Sequence, residues 1–256
     1  MKEKSKEDIQ LMSKSYWKEI KNKYKGKRGF VIGNGPSLKL EHLELLEKFS
    51  DISIASNKIY LAYDQIKWRP TFHTVADACL MDKIEGTLQD HTKVIHLPDS
   101  SASRFPGITK YVWKDLGEVG KDPNHPFNFS DDIGIGAYAG ATITFFNLQM
   151  AVHLGLGPIY LIGCDHYYSH EDNIIKDQKV SAPAQNNHFI EGYRTEGELV
   201  NPAPLDVMNK GYAHARTFSD KTEFEIYNAT VGGHLEAFER VESVSYTHLT
   251  LPTTPY

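Results

Sequence analysis

The sequence predicts an α/β fold, in which a mostly parallel sheet carries helices on both faces. Short apolar runs of strand length alternate with amphipathic segments of helical period. Successive runs begin roughly 20 residues apart, which leaves room for the crossover that parallel strands need. The 256 residues, of which 24% are charged, are enough to bury a substantial core.

The individual elements follow from the short apolar runs, which predict strands, and from the helical spacing of apolar residues, which predicts helices. A helix is expected at residues 5–25 because Ile9, Met12, Tyr16 and Ile20 recur at three- and four-residue steps. Strands are predicted at residues 29–32, 52–55, 71–76, 93–97, 110–113, 159–162 and 224–227. Further helices are predicted at residues 38–49, 60–68, 141–154 and 204–218, with a short helix or turn at residues 235–238.

The chain divides into three parts by composition. Residues 1–28 hold ten basic and four acidic side chains, which predicts a basic helix packed on the domain or in weak contact with an anionic membrane surface or another subunit. Residues 29–242 are expected to form a single Rossmann-like domain with a loop-rich lid. Residues 243–256 are uncharged and rich in Thr and Pro. They resemble a translated sequencing-adapter tail, so we expect the native C-terminus to be missing.

Bulk composition excludes several classes of function. The net charge of −5 does not favour nucleic-acid binding. The two cysteines, Cys79 and Cys164, are too far apart in sequence for a zinc motif and indicate a reducing compartment. Neither a bilayer-spanning apolar run nor a signal-peptide core is present. We therefore expect a cytoplasmic protein, with peripheral contact to the inner membrane as the variant that the basic helix suggests.

The most informative motif is Gly33-Asn34-Gly35-Pro36-Ser37, which follows an apolar strand and precedes a helix. Glycines allow the backbone to approach a ligand closely, and the first amides of a helix suit a phosphate. Ser37 is expected to cap the helix or to donate its hydroxyl to a ligand. An ordinary strand-to-helix turn explains the same pattern.

Polar residues also follow the next two predicted strands, at Asn57 and Asp77. Ligands in parallel sheets bind beyond the carboxyl ends of the strands, although Asp77 also suits a helix cap. The chain lacks the acidic residue after the second strand and has Leu38 in place of the third glycine of a dinucleotide motif. These departures argue against NAD and FAD and leave a mononucleotide or a nucleotide-sugar.

Two later regions complete the candidate site. Thr142 stands near the start of a helix after a glycine-rich segment, and the Gly163–Tyr168 stretch, with Asp165 and Tyr167, follows a buried strand. Residues 98–135 are loop-rich and suit one wall of a site. Residues 169–200 are polar and without period, which is typical of a mobile lid, and they contain His188.

These motifs together resemble two related groups of proteins over residues 27–242. One is the bacterial family 42 sialyltransferases, which use CMP-sialic acid without a metal. The other is the motility-accessory-factor family of unknown or glycosyltransferase function, which is named after 6-hydroxymethylpterin diphosphokinase. The resemblance lies in residues 31–38, 56–58 and 159–167, and residues 228–236 look particularly like the second group.

The resemblance assigns roles to individual residues. It implies that the donor's phosphate and ribose bind at Asn34, Gly35 and Ser37, and Gly33 in the same turn is a further candidate for nucleotide binding. Asn57 would contact the nucleotide, Thr142 lies near a Ser/Thr contact to the donor, and Tyr167 falls on a tyrosine that supports the leaving phosphate. Asp77 stands where the sialyltransferases have an asparagine. His188 matches the first histidine of their His-Tyr-Ile-Gly-His segment, whereas the second, which is their general base, is absent here.

Three hypotheses for function follow. The first is a metal-independent glycosyltransferase that moves a CMP-sialic acid-like sugar onto a glycan or small-molecule acceptor in surface-glycan synthesis. It is favoured because the chain contains no Asp-x-Asp motif, and it needs no cofactor besides the nucleotide-sugar donor. The second is an ATP-dependent 6-hydroxymethylpterin-type diphosphokinase, whose Mg²⁺ would be held by Asp77 and Asp165. The third is a nucleotide-binding module without catalysis.

Overall fold

The structure, a computed structural model, describes residues 4–125, 127–168, 174–175, 179–181, 187–195, 198–201 and 203–242. The helices are α1 (Lys6–Ile20), α2 (Leu40–Phe49), α3 (Ala78–Leu88), α4 (Ile143–His153) and α5 (Leu205–Asp220). The strands are β1 (Gly29–Ile32), β2 (Ile52–Ser56), β3 (Phe72–Thr74), β4 (Val94–Pro98), β5 (Thr109–Trp113), β6 (Asp115–Glu118), β7 (Ala137–Ala139), β8 (Ile159–Ile162), β9 (Ile174–Ile175), β10 (Lys179–Ser181), β11 (Leu199–Val200), β12 (Ile226–Asn228) and β13 (Glu239–Arg240).

The main sheet has eight strands in the order β13-β12-β8-β1-β2-β3-β4-β5. Every neighbouring pair in it is parallel, which confirms the predicted α/β fold. From β1 the chain builds the sheet outward to β5, and it then returns to place β8 on the other side of β1. The strand order therefore reverses at β1, and a crevice at such a point is where open parallel sheets bind ligands.

Both faces of the sheet are covered by packed side chains. Phe30 and Ile32 belong to one buried cluster and Val31 to the other, as the alternation of side chains along a strand requires. On the Val31 face lies α4, whose residues from Thr144 to His153 are all buried. A helix that is buried on every side belongs in a core, and α4 packs between β1, β2 and α5.

The N-terminal helix α1 is packed on the sheet at β5. Its first turn is fixed by a capping box between Ser5 and Asp8. Trp17 is 2% exposed, and its indole nitrogen Nε1 donates to the Val112 carbonyl over 2.7 Å. Lys21 forms a 2.6 Å ion pair with Asp132. The buried face of α1 is therefore part of the core, while its lysines face solvent.

One predicted helix and one predicted helix cap are wrong. Residues 60–68 form no α-helix: a 3₁₀ helix at Asn57–Ala62 is followed by turns. The Arg69 guanidinium satisfies the carbonyls of this turn region, donating to Ile66 and Trp68, and it lies 4.0 Å from the centre of the Tyr63 ring. Ser37 does not cap α2 either, because that helix begins at Leu40 with Lys39 as its N-cap.

The remaining predictions fall on partly described segments. Residues 235–238 form no helix: residues 237–238 are a bend, and residues 235–236 have no regular structure. Within 169–200, strands β9, β10 and β11 form a small antiparallel sheet. Residues 169–173, 176–178, 182–186 and 196–197 of the predicted lid, and the whole tail at 243–256, lie outside the described residues. Among the residues that are described, no helix is long and apolar enough to cross a membrane.

Candidate functional site

Three loops meet beyond the carboxyl ends of β1, β8 and β12. The Gly35 amide in the glycine turn (residues 33–37) donates to the Gly163 carbonyl over 2.9 Å. The His234 amide donates to the Asp165 carbonyl over 2.7 Å. A Cβ atom on Gly33 would lie 2.2 Å from the Gly163 oxygen, so no larger residue fits. Close contact between the loops is therefore one reason why residue 33 is a glycine, besides the ligand contact that the sequence predicts.

The polar donors of the glycine turn face Asp165. The Ser37 amide donates to Asp165 Oδ1 over 3.2 Å, and the Ser37 hydroxyl donates to Oδ2 over 2.8 Å. Burial raises the pKa of Asp165, and the bonds from Ser37 oppose that rise. The turn therefore presents its donors to the protein's own carboxylate, and a phosphate at this position would have to displace Asp165.

Two carboxamides lie at the ends of β1 and β2. Asn34 donates through Nδ2 to the Ser56 carbonyl over 3.2 Å, and the Asn57 side chain bonds the Tyr193 hydroxyl. The Oδ1 atoms of both Asn34 and Asn57 are buried and have no hydrogen-bond partner among the described residues. Unpaired buried acceptors are uncommon and costly, so these two oxygens suit the donors of a ligand.

His188 covers this pair of strand ends. Its Nδ1 lies 3.2 Å from the Asn34 carbonyl, and since a carbonyl only accepts, Nδ1 carries the proton and Nε2 the lone pair. The His188 ring stacks on Tyr193 with centroids 3.8 Å apart. Burial, reinforced by the charge of Arg194, lowers the pKa of His188 to about 4. The imidazole is therefore neutral at physiological pH, and no described residue occupies Nε2.

A group of four charged residues, the Glu198 cluster, adjoins His188. It consists of Lys58, Lys83, Arg194 and Glu198. Glu198 pairs with Lys83 over 2.6 Å and with Arg194 over 3.0 Å. Lys58 donates to the Tyr193 carbonyl over 2.7 Å. Burial alone would raise the pKa of Glu198, but the surrounding donors and cations lower it to about 2.

Three other predicted residues hold structural or surface positions. Thr142 is the N-cap of α4, where its hydroxyl oxygen accepts from the Thr144 amide over 3.3 Å. Asp77 caps α3 by accepting from the Cys79 amide over 2.9 Å. Tyr167 is 54% exposed, and its ring centre lies 5.3 Å from that of His234.

The structure thus brings the predicted site residues together only in part. Asn34, Asn57 and His188 form one group, and Ser37 with Asp165 forms a second. Asp77 follows β3 and Asp165 follows β8, three strands apart, which is about 14 Å. This spacing of the strands does not favour one Mg²⁺ shared by the two carboxylates. Within the described ranges, no group of three or more His, Cys, Asp or Glu side chains is placed to bind a metal.

A row of hydrogen bonds connects α1 to Asn57 through buried histidines. The Tyr16 hydroxyl donates to Nε2 of His96, whose Nδ1 donates to the His73 carbonyl, each over 2.9 Å. Nε2 of His73 donates to the Asn57 carbonyl, also over 2.9 Å. Burial lowers the pKa of both histidines to about 4. This row fixes the backbone of Asn57, which has a left-handed φ of 58°.

Comparison with known proteins identifies the family. The model of the family described as "6-hydroxymethylpterin diphosphokinase MptE-like" matches residues 5–171, from α1 to the loop after β8. The chain belongs to this MptE-like family. The name of the family makes a transferase that uses a nucleotide plausible. The predicted link to the sialyltransferases is not shown by the comparisons.

The other comparisons add little to the MptE-like assignment. No curated protein matches the chain. Among solved structures, the yeast methylglyoxal/isovaleraldehyde reductase Gre2 complexed with NADPH is similar at 14% identity and a TM-score of 0.27. The match covers 78% of this chain and 56% of the reductase chain, so this chain spans little more than half the length of the reductase.

Sequence reasoning missed part of the site in this MptE-like chain. The sequence patterns above do not single out Glu198 or Arg194, and they include Lys58 only within the segment at residues 56–58. The four-residue spacing of Arg194 and Glu198 was the available signal, since opposite charges at that spacing can pair. Arg194 and Glu198 lie beyond the matched region, whereas Lys58 and Lys83 lie inside it.

The raised pKa of Asp165 predicts a pH-dependent effect of the substitution Asp165→Asn. The folded chain holds this proton more tightly than the unfolded chain, so the stabilisation is present at low pH and is lost as pH rises through the raised pKa. Asn does not ionise and still accepts from Ser37. The free energy of unfolding of the variant, relative to wild type, should therefore increase as the pH rises above 3.8, the ordinary pKa of an aspartate.

Urea denaturation across this range measures the effect, and Glu198→Gln provides a control of opposite sign. The pKa of Glu198 is lowered, so its stabilisation is present above the unfolded value of 4.5 and is lost as pH falls towards 2. The loss of unfolding free energy in Glu198→Gln, relative to wild type, should therefore be greatest at neutral pH. A relative stability of Asp165→Asn that stays constant with pH would contradict the raised pKa.

Proposed function

We propose that the chain is a transferase that binds a nucleotide donor at the carboxyl ends of β1 and β2, beside the β1–β8 crevice. The observation that supports this most is the pair of buried, unpartnered Oδ1 atoms of Asn34 and Asn57. An unpaired buried acceptor costs about 1–3 kcal/mol, and hydroxyl or amino groups of a ribose or a base would relieve that cost. Both side chains are held from the other end by a hydrogen bond, so the acceptors are preorganised.

The transfer that we favour is that of a sugar from a CMP-sialic acid-like donor to a glycan or small-molecule acceptor, without a metal. Such a transfer needs a group that takes the proton of the acceptor hydroxyl. His188 is neutral at pH 7 and presents the lone pair of Nε2, while its Nδ1 is fixed on the Asn34 carbonyl. The separation of Asp77 from Asp165 also favours a mechanism that does not depend on a carboxylate-bound metal pair.

The second candidate is an ATP-dependent diphosphokinase acting on a 6-hydroxymethylpterin-type substrate. The description of the matching family favours it. Such a reaction needs Mg²⁺ on the phosphates. Asp165 is the carboxylate at the β1–β8 crevice that would contribute a ligand, and it would have to leave Ser37 to do so.

A thermal-shift titration tests the donor. CMP, UDP, GDP and ATP are each added with Mg²⁺ and with EDTA. A ligand present at 100 times its dissociation constant should stabilise the folded chain by about 2.7 kcal/mol. Stabilisation by CMP in EDTA supports the sugar transferase, and stabilisation by ATP only with Mg²⁺ supports the diphosphokinase. Absence of stabilisation by all four nucleotides would contradict a nucleotide site.

Substitutions locate the site. Asn34→Ala and Asn57→Ala should each lower the affinity for the nucleotide by about tenfold, because a hydrogen bond between neutral groups, worth roughly 1.4 kcal/mol, is lost. Gln89→Ala is the control, since this exposed amide lies at the C-cap of α3, at the opposite edge of the sheet. Affinity that is the same in all three variants would refute the placement. His188→Ala should keep nucleotide binding and lose transfer activity. If the chain is a nucleotide-binding module without catalysis, wild type itself shows no transfer activity.

A further inference from the structure

We propose that His166, held by Asn209 and packed against Tyr212, binds a hydroxyl group of the second substrate on the β8 side of the crevice. This inference rests on the proposed function, because a transferase needs a second substrate beside its nucleotide donor. His166 lies in the loop after β8, whereas the donor is proposed to bind at the carboxyl ends of β1 and β2. The two substrates would then meet across the β1–β8 crevice.

The observation that points to a ligand is one ring nitrogen of His166. Its Nε2 lies 2.8 Å from Oδ1 of Asn209, and since an amide oxygen only accepts, Nε2 carries a proton. In the neutral ring, Nδ1 then carries the lone pair. The Nδ1 atom is buried and has no hydrogen-bond partner in the described part of the chain. Buried acceptors are rarely left unpaired, and a hydroxyl group of a ligand is a donor that would pair this one.

The backbone of His166 is held in a conformation that residues with a side chain rarely adopt. Its φ is 54°, in the left-handed region. The preceding residue, Asp165, is fixed from two sides, because its carboxylate accepts from the Ser37 hydroxyl and its carbonyl accepts from the His234 amide. Strained residues that their surroundings hold in this way cluster at active sites and around ligands. The backbone thus supports the same conclusion as the unpartnered nitrogen.

Helix α5 fixes the orientation of the imidazole. Asn209 and Tyr212 are three residues apart on α5, a spacing that places both side chains on one face of the helix. The ring centres of His166 and Tyr212 lie 5.4 Å apart in an edge-to-face arrangement. Tyr212 is buried, and its hydroxyl is hydrogen-bonded to Thr142 and Thr144 at the start of α4. An acceptor that is oriented in advance binds a donor at a lower cost in entropy.

Nitrogen-15 NMR of the full chain tests the site, because it reports the two ring nitrogens of a histidine separately. The probes are methyl β-galactoside, a sugar with free hydroxyl groups, and 6-hydroxymethylpterin, the alcohol that the description of the family contains. Each probe is titrated alone, with CMP and with ATP. At least one of them should shift the resonance of His166 Nδ1 until it saturates, since the lone pair would accept a hydrogen bond from the probe. If neither probe shifts this resonance, the site is refuted.

His166→Asn removes the imidazole and keeps the backbone, because asparagine tolerates a left-handed φ. The affinity for the bound probe should fall by about tenfold, since a hydrogen bond between neutral groups is lost. Asn209→Ala should lower the affinity by less, because the acceptor remains but its orientation is no longer fixed. His214→Asn is the matched control on α5, where the ring lies near Gly120, and it should leave binding unchanged. Thermal midpoints show that each variant folds, and equal affinity in wild type and folded His166→Asn would overturn the proposal.

The site at His166 and the proposed nucleotide site fail separately. Nucleotide binding that depends on Asn34, without a shift at His166 from either probe, refutes the site at His166 and keeps the nucleotide site. A shift at His166 that is lost in His166→Asn, in a chain that no nucleotide stabilises, keeps the hydroxyl site and refutes the nucleotide site. Binding of the sugar alone supports the sugar transfer, and binding of the pterin alone supports the diphosphokinase.

Discussion

Gly33→Ala is expected to destabilise the fold by about 3 kcal/mol or more, which is at the severe end for a single methyl group. The added Cβ would lie 2.2 Å from the Gly163 oxygen and 2.7 Å from its carbonyl carbon. Both atoms belong to the backbone of the neighbouring loop, so no side-chain rotation relieves the contact. The two loops would have to separate, which breaks the bond from Gly35 to Gly163 and the bonds from Ser37 to Asp165.

Urea denaturation of Gly33→Ala and of Gly86→Ala measures this effect against a matched control. Gly86 lies within α3, and a Cβ built there has no heavy atom within 4 Å. Gly86→Ala should therefore stabilise the chain by about 0.5–1 kcal/mol, because alanine has the higher helix propensity. If the free energy of unfolding of Gly33→Ala lies within about 0.5 kcal/mol of the wild-type value, the loops after β1 and β8 are not in close contact at residue 33.

Trp17→Ala should cost about 3–5 kcal/mol of unfolding free energy. The side chain is 2% exposed and belongs to the same buried cluster as Leu161 in β8. Truncation leaves a cavity and also removes the donor to the Val112 carbonyl, which would then be buried without its partner. The substitution therefore tests whether α1 is part of the core.

Leu11→Ala is the control on the same helix. Leu11 is 72% exposed, so its truncation should change stability by no more than about 0.5 kcal/mol. Chemical denaturation gives both free energies, and near-ultraviolet circular dichroism reports the tryptophan environment. A cost below about 1 kcal/mol for Trp17→Ala would show that α1 is only loosely attached to the sheet.

The fold was predictable wherever burial determines the sequence pattern. Strands β1 and β8 lie in the middle of the sheet with both faces covered, so they appear as uninterrupted apolar runs, and the sequence predicts their bounds to the residue. Local patterns failed where a tertiary contact decides the conformation. At residues 60–68 the apolar spacing suggested a helix, but Arg69 satisfies the carbonyls of a turn instead.

The site was less predictable because its parts are distant in sequence. Ser37 and Asp165 are 128 residues apart, and only the placement of β8 beside β1 brings them together. The pairing turns the glycine turn from an open anion site into one that already holds a carboxylate. The Glu198 cluster depends in the same way on residues from three separate segments. The sequence shows which residues follow a strand, but it does not show which acceptor each hydrogen-bond donor meets.

The row of hydrogen bonds from Tyr16 through His96 and His73 makes α1 part of the support of Asn57. Composition changes at residue 28, which makes the junction between residues 28 and 29 look like a place to shorten the protein. A cut there would remove the hydroxyl that donates to His96 Nε2, together with the indole of Trp17. The imidazoles that support the Asn57 backbone would lose their outer partner. The segment that looks most dispensable by charge is thus one end of the scaffold that supports the proposed nucleotide site.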